Sequence, residues 1–213
     1  MAHSPQSFPT NGLSNYYDRV ERWANSARYA HEIEELLCRL GLPPGADLLD
    51  IGCGAGVAIR FASRRGFWAV GVDRSPIWES RYPIRPAVRA DAALLPFRSA
   101  SFDGVLLFHV LAHLAAPEIC LAEIHRALRR GGRIAISTPN REYLDALKAA
   151  SADSADYVPD PTVRRHLTAA QVQTLLSTAG FLVCHASTFD PAPHSAPSPL
   201  PLGERLFFVA ETQ

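Results

Sequence analysis

The sequence predicts an α/β fold, a doubly wound and mostly parallel sheet with helices on both faces. Three observations predict it. The apolar run Leu48-Leu49-Asp50-Ile51 leads directly into the glycine turn Gly52-Cys53-Gly54-Ala55-Gly56 and then into helical periodicity, a strand–turn–helix unit. Further apolar runs of strand length alternate with segments of helical period, the order that builds parallel strands joined by crossover helices. The last two apolar runs have no helix between them, so the chain is expected to close on an antiparallel pair with a long connection.

Taken in order, residues 1–12 are polar with two prolines and read as a tail. From about Ser14 the pattern is helical, and Tyr29, Ile33, Leu36, Leu37 and Leu40 share one face. Gly41 caps that helix and Pro43-Pro44 prevents its resumption. The opening strand, 47–51, is followed by a helix from Gly56 to Arg65 that stops at Gly66. Trp68 to Val72 is a second strand, ending at Asp73. Pro76, Pro83 and Pro86 allow only a brief helix before a short third strand, Ala87 to Ala90. Phe102 to Phe108 is the fourth strand, and Pro117 to Arg130 is a helix with Cys120, Leu121, Ile124 and Leu128 on one side. Gly131-Gly132 then turns the chain into a fifth strand, Arg133 to Ser137. A helix over 141–150 and a loop over 151–165 are expected next. Thr168-Ala169-Ala170-Gln171 has the spacing of a capping box and opens a helix that ends at Gly180. The closing strands are Phe181 to Ser187 and Leu206 to Ala210, joined by a loop, 190–203, that holds five prolines.

At 213 residues, with hydrophobic side chains at 47% and charged ones at 20%, the chain has the size and composition of one domain with a full core. Its 21 basic and 21 acidic side chains cancel, which argues against a broad nucleic-acid footprint. The four cysteines (Cys38, Cys53, Cys120, Cys184) are scattered, the pattern of reduced thiols in a cytoplasmic protein. The first residues have no apolar core of a secretory signal, and no run reaches membrane-spanning length.

A strand, a Gly-x-Gly turn and a helix suit any adenosine-containing ligand laid against bare backbone. Asp73, twenty-one residues after Gly52, stands where a carboxylate accepts ribose hydroxyls. Four details separate S-adenosylmethionine from a nicotinamide dinucleotide. Asp50, beside the turn, would repel a pyrophosphate and attract an ammonium or sulfonium. The spacing is Gly52, Gly54, Gly56, with Val57 where a dinucleotide turn needs its third glycine. Asp91-Ala92 follows the third strand, in place to accept from an adenine amino group. The paired C-terminal strands are not the usual end of a nicotinamide domain.

These residues resemble the class I S-adenosylmethionine-dependent methyltransferases, in particular their broad type 11 small-molecule group. Leu49 to Gly56 resembles the first motif of that family, Gly71-Val72-Asp73 the second, and Asp91-Ala92 through Phe97 with Ser101-Phe102-Asp103 the third. Phe108 to Leu114 resembles the fourth, with Ala112 where glutamate is frequent, and Glu123 to Gly132 the next helix and turn, with Arg130 where proline is usual. Ser137-Thr138-Pro139-Asn140 and Thr168 to Phe181 resemble later segments, and Tyr16-Tyr17-Asp18 a loose N-terminal pattern in which an aromatic covers the cofactor. The resemblance implies a Rossmann-like sheet of seven strands with the last antiparallel, in a single domain. Residues 1–45 would be tail and helical cap, 46–138 the cofactor-binding core, and 139–213 the substrate-side segments and last strands. It further implies cofactor contacts along Asp50, Gly52, Cys53 and Gly54, at Asp73 and Arg74, at Asp91-Ala92, and at Phe108 or His109.

The acceptor is less legible. Family habit points to a small molecule methylated on oxygen. His109 and His113, at and beyond the end of the fourth strand, are the candidates for a general base near neutral pH. Their i, i+4 spacing also suits zinc, but no glutamate follows His109 and no third ligand is evident, so no metal is expected. Arg164, Arg165 and His166 precede the capped helix as a solvated basic turn or an anion contact. Three other functions stay open at this point: a tRNA wobble-uridine methyltransferase (Leu95-Pro96-Phe97-Arg98-Ser99 resembles those enzymes), a cofactor-binding protein without chemistry, and an NAD-dependent oxidoreductase.

Overall fold

A computed structural model of the chain describes residues 27–75, 86–150, 162–189 and 204–213. The tail 1–12, the Tyr16-Tyr17-Asp18 pattern, Pro76 and Pro83, residues 151–161 of the expected loop, and the connection 190–203 lie outside the described residues.

The first element, α1, spans Ala27–Leu40. Its apolar stripe is buried as the periodicity requires: Ile33, Leu36, Leu37 and Leu40 have essentially no exposed surface. Each such side chain is worth about 1.5–3 kcal/mol on burial, enough to fix where the helix lies. Gly41 ends it with φ 63°, a left-handed cap. Strand β1 (Asp47–Ile51) leads through the glycine turn into α2 (Val57–Arg64), and β2 (Trp68–Asp73) follows. The short β3 (Ala87–Arg89) and the long β4 (Phe102–Phe108) complete the first half. The second half holds α3 (Pro117–Ala127), β5 (Leu128–Pro139), α4 (Arg141–Ala150), α5 (Ala169–Thr178), β6 (Phe181–Phe189) and β7 (Arg205–Thr212).

One expected boundary is corrected. Helical periodicity placed Leu128 to Arg130 in the last turn of α3, yet the helix stops at Ala127. Leu128 is extended (φ −73°, ψ 144°) and pairs with Phe102. The terminal carbonyls of Arg126 and Ala127 accept instead from the N–H groups of Ala100 and Ser101, at 2.9 and 2.8 Å. Gly131-Gly132 is therefore a bulge inside β5 rather than a turn before it. The register jumps there from Phe102↔Leu128 to Gly104↔Arg133.

The seven strands form one sheet in the order β3-β2-β1-β4-β5-β7-β6. β1 to β5 pair in parallel, and β7 runs antiparallel between β5 and β6. This is the expected seven-stranded topology with its last strand reversed. Alternate residues of the central strands enter two cores. Leu49, Ile51, Val105, Leu107, Ile134 and Ile136 pack with α3 and α5. Leu48, Leu106, Phe108, Phe207 and Val209 pack with α1 and α2. Burial on both faces explains why these strands read as continuous apolar runs. Among the described residues no helix is long and apolar enough to cross a membrane.

The chain winds outward from β1 to β3 and then returns to place β4 on the other side of β1. That reversal opens a crevice at the carboxyl ends of β1 and β4, where ligands bind in open α/β sheets. The glycine turn and His109 stand at its two sides.

Candidate active site

The turn after β1 is built from positive-φ glycines: Gly52 at 71°, Gly54 at 47° and Gly56 at 66°. Its position is set by the Gly52 and Cys53 N–H groups, which donate to the Val72 carbonyl at 2.7 and 3.1 Å. A Cβ on Gly52 would lie 2.3 Å from Val110 Cγ2, so any other residue there would have to displace the Val110 side chain. A Cβ on Gly54 would meet nothing nearer than a backbone oxygen at 4.0 Å, so that glycine leaves open backbone at the turn. Cys53 is buried, with Sγ 2.6 Å from where a Cβ on Gly71 would sit. It packs turn against strand, and burial pushes its thiol pKa up.

Asp50 is 2% exposed, and among the described residues its Oδ2 has no hydrogen-bond partner. Burial, and then the nearby charge of Asp73, pushes its carboxyl up to about 8. An orphaned, buried acid at the base of the turn seeks a donor or a cation. A ligand with an ammonium or sulfonium beside an adenosine supplies one, and a pyrophosphate does not. The residues present therefore fit S-adenosylmethionine.

Asp73 Oδ2 accepts from the Gly54 N–H at 2.9 Å and Oδ1 from the Ser75 N–H at 2.7 Å. These bonds lock the carboxylate against the turn and leave each oxygen a lone pair for ribose hydroxyls. Arg74, the next residue, is exposed. Asp91 is exposed, and its Oδ1 accepts from the Ala93 N–H at 2.9 Å, forming an Asx turn that holds Ala92 beside it. Phe108 is buried, its ring edge-on to Tyr29 at 4.6 Å and to His109 at 4.5 Å, so it meets the crevice through its main chain.

His109 follows the last residue of β4 with φ 58°, a strained conformation for a residue with a side chain. Its backbone N–H donates to the Ser137 carbonyl at 2.9 Å, and its Nε2 lies 2.8 Å from Glu32 Oε1. Glu32 comes from α1 and is 1% exposed. The Ser137 hydroxyl donates to the same oxygen. Burial alone would raise the Glu32 pKa. The charge and hydrogen bond of His109, with Arg205 and Ser137, outweigh it and hold the carboxyl at about 2. Sequence reasoning found His109 and missed Glu32, Ser137 and Arg205. The signal for Glu32 was available: it falls in the apolar stripe of α1, between Tyr29 and Leu36.

His113 lies on a short 3-10 turn (Leu111–His113), where its Nδ1 meets Thr162 Oγ1 at 2.9 Å. Arg164 and Arg165 are exposed and tie their backbone N–H groups to the Ala112 carbonyl, at 2.9 and 3.2 Å. The structure thus gathers Asp50, the glycine turn, Asp73 and His109 around one crevice and leaves Arg164 and Arg165 on an exposed turn. A separate open cleft of about 430 Å³ lies at the opposite end of the sheet, lined by residues such as Pro44, Asp103, Arg129 and Gly132. Arg129 is held there by Asp47 at 2.9 Å and Asp103 at 2.7 Å, and none of the nucleotide-fitting residues reaches it.

Comparison with known proteins agrees with this geometry. A family model described as a methyltransferase domain matches residues 21–186. The chain is 36% identical over 114 residues to the O-methyltransferase resE of Aspergillus sclerotiorum, covering 48% of this chain and 43% of that protein. It is 33% identical over 135 residues to the demethylmenaquinone methyltransferase of Mycolicibacterium paratuberculosis, covering 61% and 59%. The chain spans about half the length of the curated relatives it matches. Among solved structures, the fold is shared with the Burkholderia thailandensis 1,6-didemethyltoxoflavin-N1-methyltransferase, crystallised with bound 1,6-didemethyltoxoflavin and S-adenosylhomocysteine. The TM-score is 0.67 at 24% identity, covering 100% of this chain and 94% of that one.

Proposed function

The chain belongs to the class I, S-adenosylmethionine-dependent methyltransferase family, and on that premise we propose that it methylates a small-molecule acceptor on oxygen. The observation that carries the cofactor side of this reading is Asp50, a buried carboxyl with an oxygen unpartnered among the described residues, beneath an open glycine turn. Bound there, S-adenosylmethionine would supply an electrophilic methyl group. Asp50 would face its positive end, Gly52 to Gly54 would lie along it, and Asp73 would accept from its ribose. Asp91-Ala92 and Arg74 would border the adenine, and the main chain of Phe108 and His109 would close the far side. The protein's contribution is to hold the acceptor in line and keep water out, and proximity of that kind supplies much of the rate.

Oxygen is favoured by a specific feature of the crevice. His109 is a fixed imidazole at its edge, and a hydroxyl acceptor needs a group to take its proton. The relatives differ among themselves: one is named an O-methyltransferase, another a demethylmenaquinone methyltransferase, and the toxoflavin-type enzyme is named for a nitrogen. Cofactor labelled in its methyl group, incubated with an extract separated by size, tests the reading. Label is expected in the small-molecule fraction, as base-resistant methyl ethers. Label confined to RNA or protein contradicts the acceptor class, and no transfer despite cofactor binding contradicts catalysis.

A further inference from the structure

We propose that Glu32 is a positioning residue for catalysis: through its bond to Nε2 it presents Nδ1 of His109 as the proton acceptor for a hydroxyl-bearing substrate. The inference rests on the methyltransferase reading and deepens it at the acceptor side of the same crevice.

The geometry carries it in three steps. First, Glu32 Oε1 accepts from the Ser137 hydroxyl and lies 2.8 Å from His109 Nε2, so Nε2 must be the nitrogen that donates. In the neutral imidazole the lone pair is then on Nδ1. Second, described residues of three elements hold His109. Tyr29 of α1 lies tilted to it at 5.7 Å and Phe108 of β4 edge-on at 4.5 Å, and the backbone is tied to Ser137 of β5. Its left-handed φ of 58° aims the residue out of the line of β4. Third, the His109 side chain is still 19% exposed while its carboxylate partner is 1% exposed, so the carboxylate is the buried member of the pair and the imidazole the accessible one.

A purely structural role accounts for less. A buried carboxylate–imidazole pair is weak support for stability, because an apolar pair of the same volume often serves as well. α1 is already fixed by four buried aliphatic side chains. Among the described residues, the groups whose charge reaches Glu32 are His109, which follows β4, and Arg205 from β7, with the Ser137 dipole from β5. Arg205 is itself paired with Glu204 at 2.7 Å. A proton arriving on Nδ1 makes an imidazolium, and Glu32 is the anion placed to stabilise it. In the step, the acceptor oxygen gains the methyl group and gives its proton to Nδ1. The electrons of the broken C–S bond stay on sulfur, which leaves as a neutral thioether.

Three variants test this: Glu32→Gln, His109→Gln and the double. Calorimetry with S-adenosylhomocysteine is expected to be unchanged within about twofold for Glu32→Gln, whose site is on the acceptor side. Nitrogen-15 spectra of histidine-labelled wild type are expected to show His109 protonated on Nε2. Methyl transfer to phenol, 4-chlorophenol and 4-nitrophenol is then compared. For the un-ionised phenols kcat is expected to fall about a hundredfold in His109→Gln and at least about tenfold in Glu32→Gln, with the cofactor KM little moved. The double variant is expected to be no slower than His109→Gln. For 4-nitrophenol above its own pKa both losses shrink, because no proton has to be taken. An Nδ1-protonated ring, multiplying losses in the double variant, or an equal loss with the ionised phenol overturns the proposal. So does wild type that binds S-adenosylhomocysteine and methylates none of the phenols. Failure of wild type to bind the cofactor at all defeats the methyltransferase reading instead.

Discussion

At the scale of single residues, Asp50 and Glu32 are two buried carboxyls displaced in opposite directions, and each makes a pH prediction. Asp50 rises from 3.8 to about 8. Between those values the folded protein keeps a proton that the unfolded chain has released, so stability is expected to fall as pH rises from about 4 to about 8. Thermal melts of Asp50→Asn should lose that slope. If an ammonium or sulfonium sits against Asp50, binding expels the proton. Calorimetry at pH 7 in buffers of different ionisation heat is then expected to show release approaching one proton in wild type and none in Asp50→Asn. Glu32 is lowered from 4.5 to about 2. Its contribution is present above about 4.5 and is lost as pH falls toward 2, so acid unfolding of Glu32→Gln should be shallower over that range. Gly52→Ala should reduce unfolding free energy by about 1–3 kcal/mol, because the new Cβ meets Val110 at a φ of 71°. Denaturant titration measures it. The sequence made Asp50 and Asp73 legible because strand ends next to a glycine turn have a short-range signature. The place of Glu32 in the apolar stripe of α1 marks it as buried, but its partners were not legible, because His109 and Ser137 are far away along the chain.

At the scale of elements, local patterns placed most boundaries well. The strand 47–51 and the helix 141–150 stand where the sequence put them, and Gly41 and Gly66 follow their helices with φ values of 63° and 84°. The capping box is present in full: Thr168 Oγ1 accepts from the Gln171 N–H at 3.3 Å, and the Gln171 side chain accepts from the Thr168 N–H at 3.0 Å. Thr168→Ala is expected to lower stability by about 1 kcal/mol in denaturant titration, and Thr168→Ser to restore most of it. The end of α3 went the other way. Leu128 has the helical spacing of Ile124 and Leu121, so nothing local marks the break. Its pairing with Phe102 on a strand 26 positions earlier decides the matter. The reach of β5, from Leu128 to Pro139, was under-read for the same reason, since its bulge looks like a turn when its neighbours are not in view.

For the whole molecule, the order of strands does the functional work. The reversal between β1 and β4 brings the glycine turn to one side of a crevice and His109 to the other, and α1 lies across β4 and β5 to deliver Glu32. Continuous apolar runs announced a sheet covered on both faces, and the closing strand pair announced its reversed strand. The surroundings of His109 were not legible, because Glu32, Ser137 and Arg205 converge on it from α1, β5 and β7 with no spacing of their own. By this reading the crevice takes S-adenosylmethionine. Titration calorimetry of the wild-type chain with S-adenosylhomocysteine tests it most directly. Saturable binding at one site is expected, weakened at least about tenfold by Asp73→Ala through loss of the ribose contacts. No heat with S-adenosylhomocysteine or S-adenosylmethionine, alongside stabilisation by NAD, would contradict it.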